Sequence, residues 1–222
     1  MSLIVRWAVT GPFLENAYVL VCGSTREAIL VDPGDDPDRI DRLVTEEEAH
    51  PVAIYATHAH LDHVGALAEV QDRFQVPTYL PAADRDWLES LPAQARMFGL
   101  PARPVPKVDG PLAEGQRIRF GDVEGVALAT PGHTPGGTCL WFEQDRVLLT
   151  GDTLFAGSVG RTDLAGGDFD TLVRSIRDKL FVLPDEVTFY SGHGDPGRLG
   201  DEKRSNPFVG AAAIHSHFLP PR

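Results

Sequence analysis

The sequence predicts an α/β protein with mixed sheets. Short apolar runs of strand length alternate with segments whose apolar residues recur at helical spacing, in two successive sets along the chain. The chain has 222 residues, of which 42% are hydrophobic, and this is enough for a full core. We therefore expect one domain over residues 1–222.

The first set of elements includes a strand that is apolar throughout. Its residues, 52–56, read Val-Ala-Ile-Tyr-Ala, which is typical of a parallel strand buried on both faces. The predicted order is strands at 3–9, 17–22 and 27–31, a helix over 37–49, the strand at 52–56 and a helix over 64–74.

The second set of elements resembles the first in its alternation of strands and helix. We predict strands at 116–120, 122–129, 138–143 and 146–150, a helix over 169–180 and a strand at 187–190. Between the sets, residues 81–106 are rich in alanine and proline and predict a short helix with an irregular loop. This segment either covers a substrate or is a surface insertion without a function.

Residues 57–63, Thr-His-Ala-His-Leu-Asp-His, carry four potential metal ligands. They follow the strand at 52–56, on the side of an open α/β sheet where ligands bind. Imidazole and carboxylate favour zinc, iron or manganese over calcium or magnesium. So dense a group suggests two adjacent metals, with His58 and His60 facing one and Asp62 and His63 the other. The alternative is a polar loop that happens to be rich in histidine.

Three further candidates follow predicted strands and lie beside glycines that permit tight turns. They are His133, Asp152 and His193. Singly, such residues are more often loop caps or hydrogen-bonding groups. With the four in residues 57–63 they make seven ligands, a set suited to two metals.

This ordered ligand set resembles the metallo-β-lactamase fold superfamily. Residues 151–155 (Gly-Asp-Thr-Leu-Phe), 160–163 (Gly-Arg-Thr-Asp) and 202–208 (Glu-Lys-Arg-Ser-Asn-Pro-Phe) narrow the resemblance to glyoxalase II and its shorter hydrolase relatives. The resemblance covers about residues 16–208. It implies a four-layered αββα sandwich with the metals at its edge.

The resemblance also implies a role for each ligand. Asp152 would bridge two metals, which agrees with the ability of a carboxylate, but not of a neutral imidazole, to span two cations. Zinc is the favoured ion, with iron or manganese as alternatives. The first metal would be held by His58, His60 and His133, and the second by Asp62, His63 and His193.

Two more residues are predicted to serve the site. Asp32 would lie beneath residues 57–63, the metal loop, and accept a hydrogen bond from this loop or from a ligand imidazole. Its alternative role is that of a turn former. Arg161 would hold a substrate carboxylate, or would instead form an ion pair with Asp163 or Asp168.

The implied function is metal-dependent hydrolysis of a small-molecule thioester, of the hydroxyacylglutathione hydrolase type. A hydroxide bridging the metals would attack the carbonyl, with Asp62 orienting it, because bound cations lower the pKa of water to about 7. One alternative is a persulfide dioxygenase with a single iron, whose family shares the Gly-Arg-Thr-Asp of residues 160–163. Another is a non-catalytic metal-binding module. The Asn-Pro-Phe of residues 206–208 favours the hydrolases.

Net charge, hydropathy and cysteine content indicate which binding partners and which cellular compartment to expect. The formal net charge of −12 repels phosphate backbones, so no nucleic-acid partner is expected. Without a membrane-spanning stretch or an evident export signal, the chain is expected to be cytoplasmic and not to bind membranes. Cys22 and Cys139 predict buried, reduced thiols, with metal binding by Cys139 as the alternative. His215 and His217 lie beyond the family pattern and are expected to be solvent-exposed.

Overall fold

Two six-stranded β-sheets form the centre of the molecule, and helices cover the outer face of each. The computed structural model describes residues 2–211 and residue 213. The two sheets and two helical layers make a four-layered αββα sandwich, which confirms the predicted fold class. The predicted tail histidines, His215 and His217, lie outside the described residues.

The first sheet contains strands β1 to β6 in sequence order. Its first three strands are antiparallel and each later strand runs parallel to its neighbour. The strands are β1 (Leu3–Thr10), β2 (Glu15–Cys22), β3 (Glu27–Val31), β4 (His50–Tyr55), β5 (Thr78–Leu80) and β6 (Gly110–Pro111). The helices between them are α1 (Pro37–Glu46), α2 (Leu61–Val64), α3 (Leu67–Phe74), α4 (Arg85–Glu89) and α5 (Leu91–Met97).

The second sheet has the spatial order β14-β13-β10-β9-β8-β7, in which only β10 and β13 pair in parallel. Its strands are β7 (Arg117–Phe120), β8 (Val123–Ala129), β9 (Thr138–Phe142), β10 (Val147–Gly151), β13 (Thr188–Ser191) and β14 (Gly197–Arg198). A separate hairpin pairs β11 (Leu154–Phe155) with β12 (Ser158–Val159). Helix α6 (Phe169–Ser175) continues into a π-helical turn, Ile176–Leu180, and α7 (Leu199–Ser205) follows β14.

Strand β2 shows how the layers are joined. Its side chains alternate between the two faces of the sheet, as the period of a strand requires. Val19 and Val21 pack under the outer helices, whereas Tyr18 and Leu20 face the second sheet. Both faces are therefore buried, and the strand has no solvent-facing polar stripe.

Two predicted helical regions differ from the structure. The helix expected over 64–74 begins three residues later, as α3, and Val64 instead ends the short helix α2. The Ala66 N–H donates to the Pro33 carbonyl (3.1 Å) and so does not continue α2. The segment 81–106 holds more helix than expected, a 3₁₀ turn at Ala82–Asp84 followed by α4 and α5. Pro92 is compatible with α5 because it occupies the first turn, where its missing N–H is not needed.

The two cysteines are buried and free, as predicted. Cys139 Sγ lies 3.2 Å from Thr130 Oγ1, in the core between the second sheet and its outer helices. Cys139 thus packs in the core. Over residues 2–211 and 213, none of the helices has the length and apolar character needed to cross a membrane.

Gly34 allows the turn after β3 to lie directly against α2. A Cβ added to Gly34 would be 1.5 Å from the carbonyl oxygen of Asp62 and 2.6 Å from its carbonyl carbon. Both are backbone atoms, so no side-chain rotation can relieve the overlap. The loops that follow β3 and β4 therefore depend on the absence of a side chain at this position.

We expect Gly34→Ala to lower the free energy of unfolding by about 3 kcal/mol, because a buried overlap with backbone costs as much as severe overpacking. Gly99→Ala is the matched control. Gly99 has a φ of +68° but open space around it, so the control should lose only about 1 kcal/mol from backbone strain. Urea unfolding of both variants measures the difference, and equal losses would contradict the steric explanation.

Candidate metal centre

The seven predicted ligands meet at one edge of the sandwich. Each lies on a segment that follows the carboxyl end of a strand, where open α/β sheets place their binding sites. His58 and His60 follow β4, Asp62 and His63 lie in α2, His133 lies between β8 and β9, Asp152 follows β10, and His193 follows β13. Loops from both sheets thus contribute to one cluster.

His58, His60 and His133 form a buried trio. Each can offer a ligand atom that lies within 4.8 Å of those of the other two. His133 Nε2 is 2.9 Å from His60 Nδ1, and the three rings meet edge to face. Two ring nitrogens face each other at a distance that either a proton or a shared metal can explain.

Asp62, His63 and His193 form a second trio with the same spacing limit of 4.8 Å. His193 Nε2 is 3.2 Å from Asp62 Oδ2, and His63 Nε2 is 3.9 Å from the same oxygen. His63 is fully buried, whereas Asp62 and His193 are partly open to solvent. The second trio therefore faces outward more than the first.

The Asp152 carboxylate lies between the two trios. Its Oδ1 is 3.3 Å from His63 Nε2, and its Oδ2 is 3.6 Å from both His133 Nε2 and His193 Nε2. Gly192 leaves room for this carboxylate, because a Cβ there would lie 2.2 Å from Asp152 Oδ1. One carboxylate thus contacts histidines of both trios.

The Asp32 carboxylate contacts the segment of residues 57–63, which carries four of the predicted ligands. The Thr57 N–H donates to its Oδ1 and the Thr57 hydroxyl to its Oδ2, both at 2.6 Å, while His63 Nδ1 is 3.0 Å from Oδ2. An ionised carboxylate only accepts, so the Thr57 hydroxyl is left to accept from His58 Nδ1 at 3.1 Å. Both histidines are thereby turned so that Nε2 faces the cluster. These are the contacts expected of the positioning role rather than of a turn former alone.

Backbone carbonyls orient two other histidines. His133 Nδ1 is 2.8 Å from the carbonyl oxygen of Arg161, and His193 Nδ1 is 3.4 Å from that of Leu14. The sequence pointed to Arg161 for its side chain, but not for this contact. A sequence motif cannot identify a residue whose backbone carbonyl accepts such a hydrogen bond, because every residue has a carbonyl.

Asp84 joins the two loops that carry the first trio, and it was not predicted. Its carboxylate accepts from the Ala59 N–H (3.2 Å), the Thr134 hydroxyl (2.7 Å) and the Gly136 N–H (2.6 Å). Burial outweighs these hydrogen bonds and raises its pKa. The one available signal was an acidic residue within the alanine- and proline-rich segment.

Gln94 and Glu15 were also missed. Gln94 accepts from the Leu61 N–H (2.9 Å) and thereby fixes the start of α2. Glu15 is buried beneath the second trio, where the Thr10 hydroxyl donates to it at 2.9 Å. Burial raises the pKa of Glu15 well above its ordinary value, which favours the protonated, uncharged form.

Burial and neighbouring charges divide the ligands into two electrostatic groups. Burial, together with the other histidines, lowers the pKa of His58 and brings that of His60 to about 4, so both are neutral at pH 7 and offer lone pairs. Burial would also lower the pKa of His63, but Asp152, Asp62 and Asp32 outweigh it and raise that pKa. Burial would raise the pKa of Asp152, but the charge of His63 overcomes this and keeps the carboxylate ionised.

The donor set fits divalent metal ions. Among the described residues, six buried side-chain nitrogen or oxygen atoms lack a hydrogen-bond partner, and four of the six belong to the cluster. These are Nε2 of His58, His60 and His63 and Oδ1 of Asp152. Buried polar atoms are rarely left unpaired, and His58, His63 and Asp152 can each present a ligand atom within 4.8 Å of the other two, so the unpaired atoms of these three residues indicate a place for a cation.

A cleft of about 890 Å³ opens beside the cluster. Trp87, Met97 and Phe98 line it, so the segment 81–106 forms part of its wall. Arg161 also lines the cleft, and its guanidinium binds Asp163 through two contacts of 2.7 and 2.8 Å. Asp168, the other partner considered for Arg161, instead caps α6 by accepting from the Thr171 N–H.

Comparison with known proteins agrees with the fold. The family model described as the metallo-β-lactamase superfamily matches residues 10–193. The hydroxyacylglutathione hydrolase GloC of Haemophilus influenzae is 37% identical over 204 residues, which are 89% of this chain and 93% of that protein. The solved structure of the B3 metallo-β-lactamase BLEG-1 superposes with a TM-score of 0.86 at 37% identity, over 93% of this chain and 99% of the other. The structure of TTHA1623 in a di-iron-bound form gives a TM-score of 0.83 at 40% identity, over 92% and 100% of the two chains. This chain therefore belongs to the metallo-β-lactamase superfamily.

Proposed function

We propose that the protein is a hydrolase of small acyl thioesters that uses two divalent metal ions. The observation that carries the proposal is the position of Asp152, whose carboxylate contacts histidines of both trios. His58, His60 and His133 would hold one ion, Asp62, His63 and His193 the other, and Asp152 would join them. Zinc is the favoured ion, with iron or manganese as alternatives.

Two relatives support this assignment. GloC is named a hydroxyacylglutathione hydrolase, and a thioester is the bond such an enzyme cleaves. TTHA1623 was solved with two irons, which supports a two-ion site and keeps iron beside zinc as a candidate. The structure brings together all seven predicted ligands, which favours a catalytic protein over a non-catalytic metal-binding module.

The side chains are arranged to assist hydrolysis. When bound, a pair of divalent ions in such a site supplies an activated water and a Lewis acid for the substrate carbonyl. Asp62 lines the cleft and presents Oδ2 beside His193. Burial would raise its pKa, but His63 outweighs this and lowers it, so Asp62 is ionised and can accept a hydrogen bond from the nucleophile.

The side chains that line the cleft favour a substrate whose leaving group departs without being protonated. Among the described residues that line it, the three histidines are proposed metal ligands, and there is no lysine, tyrosine or cysteine to serve as a general acid. A thiolate departs without strong protonation, whereas an amine or alkoxide needs a proton donor. The composition of the cleft thus favours thioesters over amides.

The direct test is release of thiol from a 2-hydroxyacyl glutathione thioester by the metal-loaded protein, measured with a thiol-reactive dye while oxygen is monitored. We expect thiol release without oxygen uptake, and its loss in Asp152→Ala. Oxygen uptake with glutathione persulfide that needs a single iron, with no thiol release, would establish the dioxygenase instead. A β-lactam assayed in parallel covers the activity named for BLEG-1. Its cleavage without any thioester hydrolysis would also contradict the proposal.

Removal and return of metal tests the stoichiometry. Protein stripped of metal by a chelator should regain two equivalents of zinc. Each of the two trios, completed by the shared Asp152, forms one binding position, so there are two positions in all. His193→Ala removes a ligand of the second position only, and should bind one equivalent. Elemental analysis after gel filtration counts the ions, and a wild-type protein that never exceeds one equivalent would contradict the assignment.

Asp84→Asn tests the residue that ties the two loops together. The amide keeps one acceptor oxygen and places an N–H where a donor already points, so we expect metal affinity to fall about 10- to 100-fold with the fold retained. Asp86→Asn is the matched control, since Asp86 lies two residues away and is exposed. Competition with a chromophoric chelator measures affinity, and circular dichroism checks the fold. Equal affinities for the two variants would show that Asp84 has no positioning role.

A further inference from the structure

Aromatic side chains flank the metal cluster on both sides. The Trp87 ring meets His60 edge to face with centroids 4.7 Å apart, next to the first trio. The Phe155 ring lies 6.2 Å from that of His193, next to the second. A substrate whose carbonyl reaches the cluster therefore has apolar surface beside both ends of its reacting bond.

Large apolar side chains are also left open to solvent at the cleft. Met97 is 80% and Phe98 is 55% exposed, and both line the cleft. Phe98 meets Phe13, from the turn between β1 and β2, edge to face at 4.9 Å. Contiguous exposed apolar surface is unfavourable in water and marks a site that a ligand covers.

Outside the metal cluster, the described side chains that line the cleft offer an anion no unpaired positive charge. Arg161 is the single arginine or lysine among the described cleft-lining residues, and Asp163 already binds its guanidinium with both oxygens. Asp195 adds an exposed carboxylate to the same wall. Glutathione carries two carboxylates, and the cleft offers neither of them an unpaired side-chain cation.

We infer that the substrate is an uncharged thioester with apolar groups on both sides of the reacting bond, rather than a glutathione thioester. The inference rests on the proposed hydrolase function. In the reaction one water is consumed, a C–O bond forms and the C–S bond breaks, giving a carboxylic acid and a thiol with no change of oxidation state. The acid ionises to an anion at neutral pH.

The hydrolysis test compares acyl chains and thiol carriers. Hexanoyl-N-acetylcysteamine should have a kcat/KM at least about 30-fold above that of acetyl-N-acetylcysteamine, because each methylene buried against apolar walls contributes about threefold. The 2-hydroxypropionyl thioester of glutathione should be hydrolysed more slowly than the hexanoyl substrate. A glutathione thioester preferred more than 10-fold over the neutral one would overturn the inference while supporting the proposed hydrolase.

Binding of inert thioethers decides the inference even if no thioester is cleaved. By calorimetry with the metal-loaded protein, S-hexyl-N-acetylcysteamine should bind at least about 10-fold tighter than its S-methyl analogue. S-hexylglutathione should bind no tighter than the neutral S-hexyl compound. Absence of hydrolysis with every thioester would contradict the proposed function alone, whereas tighter binding of the glutathione compound would contradict the inference alone.

The variant Met97→Ser tests whether the preference for the longer acyl chain arises in the cleft. Because Met97 is largely exposed, its replacement should leave folding intact and lower the ratio of hexanoyl to acetyl kcat/KM about 3- to 10-fold. Val182→Ser is the matched control, since Val182 is 70% exposed and does not line the cleft. The control should leave the ratio unchanged, and an equal change in both variants would overturn the assignment of the apolar wall.

Discussion

The site depends on one buried carboxylate, that of Asp32. Asp32 has a φ of 51°, in the left-handed region, where a residue other than glycine is strained by about 1–2 kcal/mol. Its carboxylate accepts two hydrogen bonds from Thr57 and lies within hydrogen-bonding distance of His63. Hydrogen bonds to a charged acceptor contribute about 1.5–3 kcal/mol each, so they outweigh the strain. The unusual backbone angle is therefore maintained by the loop that it supports.

A second constraint acts across the two halves of the sandwich. The histidines of the first trio come from different sheets, and side-chain packing within each half cannot fix the distance between them. Asp84 supplies the missing connection, because it accepts hydrogen bonds from the loop after β4 and from the loop after β8. It comes from the segment between the two sets of elements, which thus contributes to the site as well as to the cleft. Trp87 and Gln94 from the same segment contact the metal loop directly.

Much of the fold, and the clustering of the seven predicted ligands, could be predicted from the sequence because the signals are local. His58, His60, Asp62 and His63 lie within six positions at the end of an apolar strand, and the other ligands also follow strands. Asp84, Gln94 and Glu15 could not be found in this way. Their partners lie far away in the chain, for example Thr134 for Asp84, and no spacing rule links the two. Helix boundaries near Gly65 were missed for the same reason, since a distant carbonyl, that of Pro33, takes the N–H that would have continued the helix.

The contact between His133 and residue 161 makes the orientation of this histidine independent of the side chain that residue 161 presents to the cleft. The histidine is oriented by the carbonyl of Arg161, and every amino acid has one, whereas the side chain of Arg161 faces the cleft. Exchange of that side chain during evolution can therefore change which molecules the cleft accepts while the orientation of His133 is preserved. His58 and His63 lack this freedom, because both rely on the side chain of Asp32. A substitution at residue 161 can thus alter the cleft and leave the orientation of His133 intact, whereas a substitution at residue 32 removes contacts that orient two histidines at once.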